Sequence, residues 1–298
     1  MDPGLDIVHI LQDFRLSMPP SVESFFVFLS SPLFYVGVPL ILGAMLFWFS
    51  DKQKGETILF IFASAMAVNR MIKVTVKQPR PWVLDPTIQP SDAAKATAGG
   101  YSLPSGHTTM AVSAYGAFAL LVKSPALKVF AILMVALIPV SRLILNVHTP
   151  LDIAAGVIVA VFVCLFNMKA VPWSHRNERN RSMFLGGYLA FFIIAAVYLL
   201  IVTEDYANAN FIFMAIGLVV GLFIEERYIH YEIRERPRKQ KLIIGISGLI
   251  LMGLMFGIPY LLLGYGYSIA IGGSMCMISA TAICPYLIKR YDETHRTD

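Results

Sequence analysis

The sequence predicts an all-α, polytopic transmembrane bundle of about nine spans. Three observations carry that reading. Of 298 residues, 57% are hydrophobic and only 14% charged, against about 25% charged in a soluble domain. The apolar residues gather in runs near the 17–25 residues, roughly, that a helix needs to cross the hydrocarbon layer. The Lys and Arg residues collect between alternate runs, the pattern of cytoplasmic loops. No long polar stretch lies outside 77–105, so no separate soluble domain fits.

Taken in order, residues 5–17 come first. Leu5, Ile7, Val8, Ile10, Leu11 and Phe14 have helical apolar spacing and suit a helix lying in the membrane interface. Spans follow at 33–49, 56–76, 106–122, 127–146, 151–167, 184–202, 209–224, 242–263 and 267–288. If they alternate, the stretches 51–55, 123–128, 168–183, 225–241 and 289–298 share one side and hold most of the Lys and Arg. Of the opposite loops, 77–105, 147–150, 203–208 and 264–266, only the first carries any, and Thr203-Glu204-Asp205-Tyr206 is acidic. This places the N-terminus outside and the C-terminus in the cytoplasm. The chain divides into an interfacial helix and first span (1–50), a core (51–183) and extra C-terminal spans with no legible role (184–298).

Several classes are excluded. The net charge of +5 is loop charge, not a nucleic-acid footprint. Cys164, Cys276 and Cys284 lie in apolar segments and match neither a disulfide framework nor a metal spacing. Met1 to Pro20 is acidic and amphipathic, unlike a cleavable signal peptide, and no lipidation motif is present. Gly245-x2-Gly248 and Gly253-x3-Gly257 read as helix packing. The sequon Asn180-Arg181-Ser182 falls in an inside loop and reads as chance.

Three polar strings stand out at the mouths of apolar segments: Lys73-x6-Arg80-Pro81, Pro104-Ser105-Gly106-His107 and Ser141-Arg142-x5-His148-x3-Asp152. Charge inside a bilayer is costly, on the order of 2.5–3.5 kcal/mol for a central Arg, Lys or Asp. Lys73 and Arg80 leave one span toward the same mouth and suit a dianionic oxyanion, which Arg grips with a fork. Arg80 precedes Pro81, so its backbone is pushed to an extended conformation. Ser105 is a natural N-cap, Gly106 admits close backbone approach, and a helix N-terminus attracts anions. Thr149 and Pro150 read as N-cap and first helical residue. Asp152, four residues after His148, can accept from its ring and fix its tautomer, leaving the other nitrogen to attack phosphorus.

Each string alone has a structural explanation: a snorkelling Lys, an ordinary cap, a capping-box acid. All three at one membrane face make a site. Asn69 and Arg70, one turn before Lys73, suit either site support or interior helix contacts.

In these strings the sequence resembles the type 2 phosphatidic acid phosphatase superfamily. The signature spans 73–152 without departure, and 56–167 look like the family's core, in spans 2–5. The resemblance says little about 1–50 and 184–298. It implies a phosphohydrolase that needs no metal or other cofactor. His148 would be the nucleophile that becomes phosphohistidine, and Asp152 would orient it. His107 would protonate the leaving oxygen and then activate water. Lys73, Arg80, Ser105, Gly106 and Arg142 would hold the phosphoryl oxygens. The substrate expected is a lipid phosphate or diphosphate: phosphatidate, phosphatidylglycerophosphate or a polyprenyl diphosphate. Membrane lipids are the partners, nucleic acid is not, and oligomeric state is not legible. The setting expected is a bacterial cell membrane with the site on its extracytoplasmic face. Two alternatives stay open: a sugar phosphatase similar to glucose-6-phosphatase, whose nine spans this chain shares, and a non-catalytic lipid-binding or transport protein. A haloperoxidase has a similar anion site but is soluble.

Overall fold

The computed structural model describes residues 3–203, 209–263 and 265–294. The acidic loop at 204–206, and Gly264, lie outside the described residues. Every described element is helical. The order is α1 (Pro3–Ser17), α2 (Pro20–Leu29), α3 (Val38–Phe49), α4 (Lys52–Val76), α5 (Pro81–Leu84), α6 (Asp92–Ala96) and α7 (Gly106–Leu121). Then come α8 (Pro125–Ile144), α9 (Pro150–Ser174), α10 (Glu178–Thr203), α11 (Asn210–Ile224), α12 (Arg238–Leu263), α13 (Tyr265–Ile278) and α14 (Cys284–Thr294). Single π-helical turns occupy Leu33–Gly37, Glu225–Ile229 and Ser279–Ile283; the first leads into α3, the second ends α11 at the left-handed His230, and the third joins α13 to α14.

Among the described residues, seven helical stretches are long and apolar enough to cross a membrane: Pro20–Phe49, Lys52–Leu84, Pro125–Ile144, Pro150–Ser174, Glu178–Thr203, Arg238–Leu263 and Tyr267–Thr294. This is an integral membrane protein with an all-α, polytopic architecture. The first of these stretches begins well before the span read at 33–49, because it includes α2, which is separated from the π turn only by the short turn at Ser30 and Ser31. Two helices read as spans, α7 and α11, have 16 and 15 residues.

The chain forms two compact units, Met1–Leu40 with Val68–Phe166, and Ile41–Ala67 with Asn167–Asp298. In the first unit α8 packs against α7, α1 and α2. Tyr115 of α7 donates to the Phe34 carbonyl at 2.6 Å and ties that helix to the π turn at 33–37. Ala94, Ala98, Leu145 and Val147 are buried together, with Phe26, Val27 and Trp82 packed against them. That cluster seats the 77–105 loop against the turn that follows α8.

The second unit is built on close helix contact. A Cβ on Gly217 of α11 would come within 2.6 Å of the Ser274 carbonyl oxygen of α13; only a residue without a side chain permits this approach. Gly248 of α12 faces the Trp48 ring in the same way, and Trp48 donates to the Ala280 carbonyl at 2.6 Å. The buried carboxylates of this unit, Glu225 and Glu56, are paired: Glu225 with Lys52 at 2.8 Å and Glu56 with Arg181 at 2.9 Å.

Two sequence readings need correction here. Gly253 and Gly257 have nothing within 4 Å of an added Cβ, so of the four α12 glycines read as packing positions only Gly245 and Gly248 meet a neighbour. Residues 180–182 are not in a loop: they lie in the first turns of α10, where Arg181 turns inward to Glu56. The helix that carries the span read at 184–202 begins earlier, at Glu178.

Candidate active site

All eight residues picked out from the sequence lie in the first compact unit, and seven are buried: Lys73, Arg80, Ser105, His107, Arg142, His148 and Asp152. Lys73 closes α4. Its Nζ donates to the carbonyls of Tyr101 at 2.7 Å and Ser102 at 3.1 Å. Arg80 precedes α5 in extended backbone, φ −74° and ψ 155°, as the residue before a proline must be. Its guanidinium donates to Gly100, Gly99 and Val147 carbonyls at 3.0, 2.9 and 3.0 Å, and stands 5.7 Å over the Trp82 ring. Two cations therefore fold the 99–102 segment down over the site.

Asp152 sets the chemistry of His148. His148 Nδ1 lies 3.3 Å from Asp152 Oδ2; a carboxylate only accepts, so Nδ1 carries the proton and Nε2 presents its lone pair. Arg80 Nη1 stands over the ring, 2.9 Å from Nε2 and 3.4 Å from Nδ1. Asp152 Oδ2 also accepts from Ser102 Oγ at 2.6 Å and from the Thr149 amide at 2.7 Å. Asp152 N donates back to Thr149 Oγ1 at 3.3 Å, which completes the capping box. Asp152 is thus both helix cap and imidazole orienter. Burial, and then the nearby Arg80, Lys73 and Arg142, hold the His148 pKa well below the usual histidine range; its ring stays neutral with a free pair.

The second string joins from α7. Ser105 accepts from Thr108 N at 3.4 Å as the N-cap, and its own amide donates to the Asp152 carbonyl at 2.9 Å. That bond locks the start of α7 to the start of α9. Asn69 donates to the Pro104 carbonyl at 3.2 Å and to Thr109 Oγ1 at 3.0 Å, so of its two readings the structure favours support of this string. Gly106 faces Asn69: an added Cβ would lie 3.4 Å from Oδ1. The His107 ring stacks on Tyr35, centroids 3.9 Å apart, and its Nε2 lies 3.2 Å from the Ser30 carbonyl.

Arg142 differs from the other two cations. It is wholly buried, and its Nε, Nη1 and Nη2 have no hydrogen-bond partner among the described residues. An uncompensated buried guanidinium costs several kcal/mol. It acts electrostatically on both His107 and His148. A phosphoryl group between those rings would supply the acceptors its five N–H groups need.

Sequence reading missed three contributors. Ser102 reaches Asp152 only because the loop turns back, its amide donating to the Gln78 carbonyl at 2.8 Å; no spacing announces this. Ser30 and Tyr35 come from a segment far from the strings. Ser30 Oγ lies 2.6 Å from Ser141 Oγ, so the N-terminal segment closes over the third string. Among the described residues no group of three or more His, Cys, Asp or Glu is placed to hold a metal ion.

Residues 56–176, which contain all of these strings, match the family model of the PAP2 superfamily. That region belongs to the PAP2 superfamily. An undecaprenyl-diphosphatase of Sulfolobus acidocaldarius is 28% identical over 137 residues, covering 45% of this chain. The aligned part is 63% of that protein's length, a little under two thirds. No solved structure matches the chain.

Proposed function

We propose that this protein is a phosphatase that removes a phosphoryl group from a lipid phosphate or diphosphate through a phosphohistidine on His148. One observation carries the reading: His148 Nδ1 is held by Asp152, which leaves the Nε2 lone pair for phosphorus beside the buried cations Lys73, Arg80 and Arg142. In the reaction Nε2 attacks phosphorus and the bond from phosphorus to the leaving oxygen breaks. Protonated His107 gives that oxygen its proton. Water then attacks the phosphohistidine, His107 takes a proton from it, and the P–N bond breaks to release phosphate and restore His148. Arg142 with Lys73, Arg80, Ser105 and the Gly106 amide stabilises the charge on the equatorial oxygens. No step in this sequence calls on a metal.

A lipid substrate is favoured over a sugar phosphate for two reasons. The PAP2 relative is named an undecaprenyl-diphosphatase, so a polyprenyl diphosphate leads the lipid candidates. Around Arg80 the apolar side chains Val83, Leu84 and Tyr101 are exposed, a surface suited to a chain arriving from the bilayer. The distribution of Lys and Arg among the loops supports a site on the face away from the cytoplasm.

The test is phosphate release by purified protein from undecaprenyl diphosphate, phosphatidate, phosphatidylglycerophosphate and glucose 6-phosphate in parallel. Turnover is expected with one or more lipids and at least about ten-fold lower on the sugar phosphate. Preference for the sugar phosphate would overturn the lipid reading, and no release from any of the four would overturn the phosphatase itself.

A further inference from the structure

The N-terminal helix α1 is built inside out. Its buried stripe is Val8, Gln12 and Arg15. Its exposed stripe is apolar: Ile7 at 43%, Ile10 at 67% and Phe14 at 54%. Asp6, Asp13 and Ser17 form a third, exposed polar stripe. A helix with one stripe for protein, one for hydrocarbon and one for water suits the membrane interface.

The buried stripe is not generic packing. His9 Nε2 lies 2.9 Å from Asp85 Oδ2, and Gln12 donates to the Thr87 carbonyl at 3.2 Å. Arg15 Nη2 donates to the Gln89 carbonyl at 2.6 Å. Its Nε donates to Asn146 Oδ1 at 2.9 Å, while Asn146 Nδ2 donates to the Val8 carbonyl at 2.9 Å. Asn146 is fully buried and holds φ 58°, a left-handed conformation that costs most residues energy and that Asn tolerates best. Two residues further on is His148, and between them the Val147 carbonyl accepts from Arg80. The grip of α1 on Asn146 therefore lies in the same short turn that presents the imidazole.

We infer that α1 is an interfacial latch: its apolar stripe rests in the lipid surface, and Arg15 acts as a positioning residue that holds the Asn146–His148 turn in its reactive geometry. The catalytic consequence rests on the reading of His148 as nucleophile; the mechanical one does not. Arg15 touches no reacting atom. Its loss loosens the turn, so Nε2 spends less time aligned on phosphorus while the cations that bind the phosphoryl group stay in place. Turnover falls and substrate binding does not.

The experiment uses full-length protein in lipid nanodiscs. Amide hydrogen exchange across 146–149 is compared for wild type, Arg15→Ala, Arg15→Lys and the pair Ile10→Asp/Phe14→Asp, alongside kcat and KM. Arg15→Ala is expected to speed exchange in that turn about ten-fold and to lower kcat about ten-fold or more with KM within about two-fold. Arg15→Lys should fall between it and wild type. The Ile10/Phe14 pair should loosen the same turn. Asn146→Gly covers the case in which Arg15→Ala does not fold, because glycine accepts the left-handed backbone; glycine also frees the backbone itself, so this variant serves only to overturn the latch, by unchanged exchange. Unchanged exchange at 146–149 in Arg15→Ala or Asn146→Gly would overturn the latch. Unchanged exchange in the Ile10/Phe14 pair would overturn its lipid half. If wild type releases no phosphate while Arg15→Ala still loosens the turn, the phosphatase reading fails and the latch stands.

Discussion

His148 Nδ1 and Asp152 Oδ2 lie 3.3 Å apart, and that contact assigns the imidazole its tautomer. Because a carboxylate can only accept, Nδ1 has to be the N–H and Nε2 the nitrogen with the lone pair. An acid that the sequence offers as a helix cap is thereby also the group that marks which nitrogen reacts.

His148→Ala should lower phosphate release on the order of 10³-fold or more, with the melting temperature in detergent near that of wild type. Asp152→Asn should lose rate for a different reason: an amide no longer offers a carboxylate to the Nδ1 proton, and the tautomer is freed. Radiolabelled phosphate trapped on wild type by rapid acid-free quench, and absent from His148→Ala, is the direct check. Normal turnover by His148→Ala would remove the nucleophile from the mechanism.

Ser102→Ala removes a 2.6 Å hydrogen bond to the Asp152 carboxylate. Bonds to a charged group contribute about 1.5–3 kcal/mol, so kcat should fall about 10–100-fold. Ser102→Thr retains the hydroxyl and should recover most of the rate. Steady-state kinetics on the two variants decide it; equal loss in both would mean that loop packing, not the hydroxyl, matters.

Orthovanadate mimics five-coordinate phosphorus and should seat on Arg142, whose buried donors have no protein partner among the described residues. It should raise the melting temperature and inhibit competitively. Arg142→Gln should weaken that inhibition at least about ten-fold, the loss of a charge-assisted contact. Activity should survive EDTA; loss restored by Mg²⁺ would contradict the metal-free steps proposed.

The low pKa of His148 makes a stability prediction. An unfolded histidine titrates near 6.5. The folded ring stays neutral below that pH while the unfolded ring takes up a proton, so the contribution is present above about pH 6.5 and is lost as pH falls below it, by about 1.4 kcal/mol per pH unit. Melting temperatures from pH 8 to 5 should drop more steeply below 6.5 for wild type than for His148→Asn. Parallel curves would show that the ring charges in the folded state.

Hydrophobic run length and loop charge are local properties, and they determined the all-α membrane architecture without help. The three strings did the same for the likeness to the PAP2 superfamily, since motif spacing is written along the chain. The Thr149–Asp152 capping box and the extended Arg80 were also legible, because caps and pre-proline backbones are decided within a few residues. What tertiary structure alone decided are contacts between distant segments. Ser102 meets Asp152 across 50 residues, Ser30 and Tyr35 meet His107 across more than 70, and Arg15 meets Asn146 across 131. None has a period or a spacing, because each depends on where two chains of packing bring a loop and a helix together. The same reason divides the three cations. In sequence Lys73, Arg80 and Arg142 look alike; in the fold two of them hold backbone carbonyls, and Arg142 is left buried with its donors turned to no other protein group among the described residues.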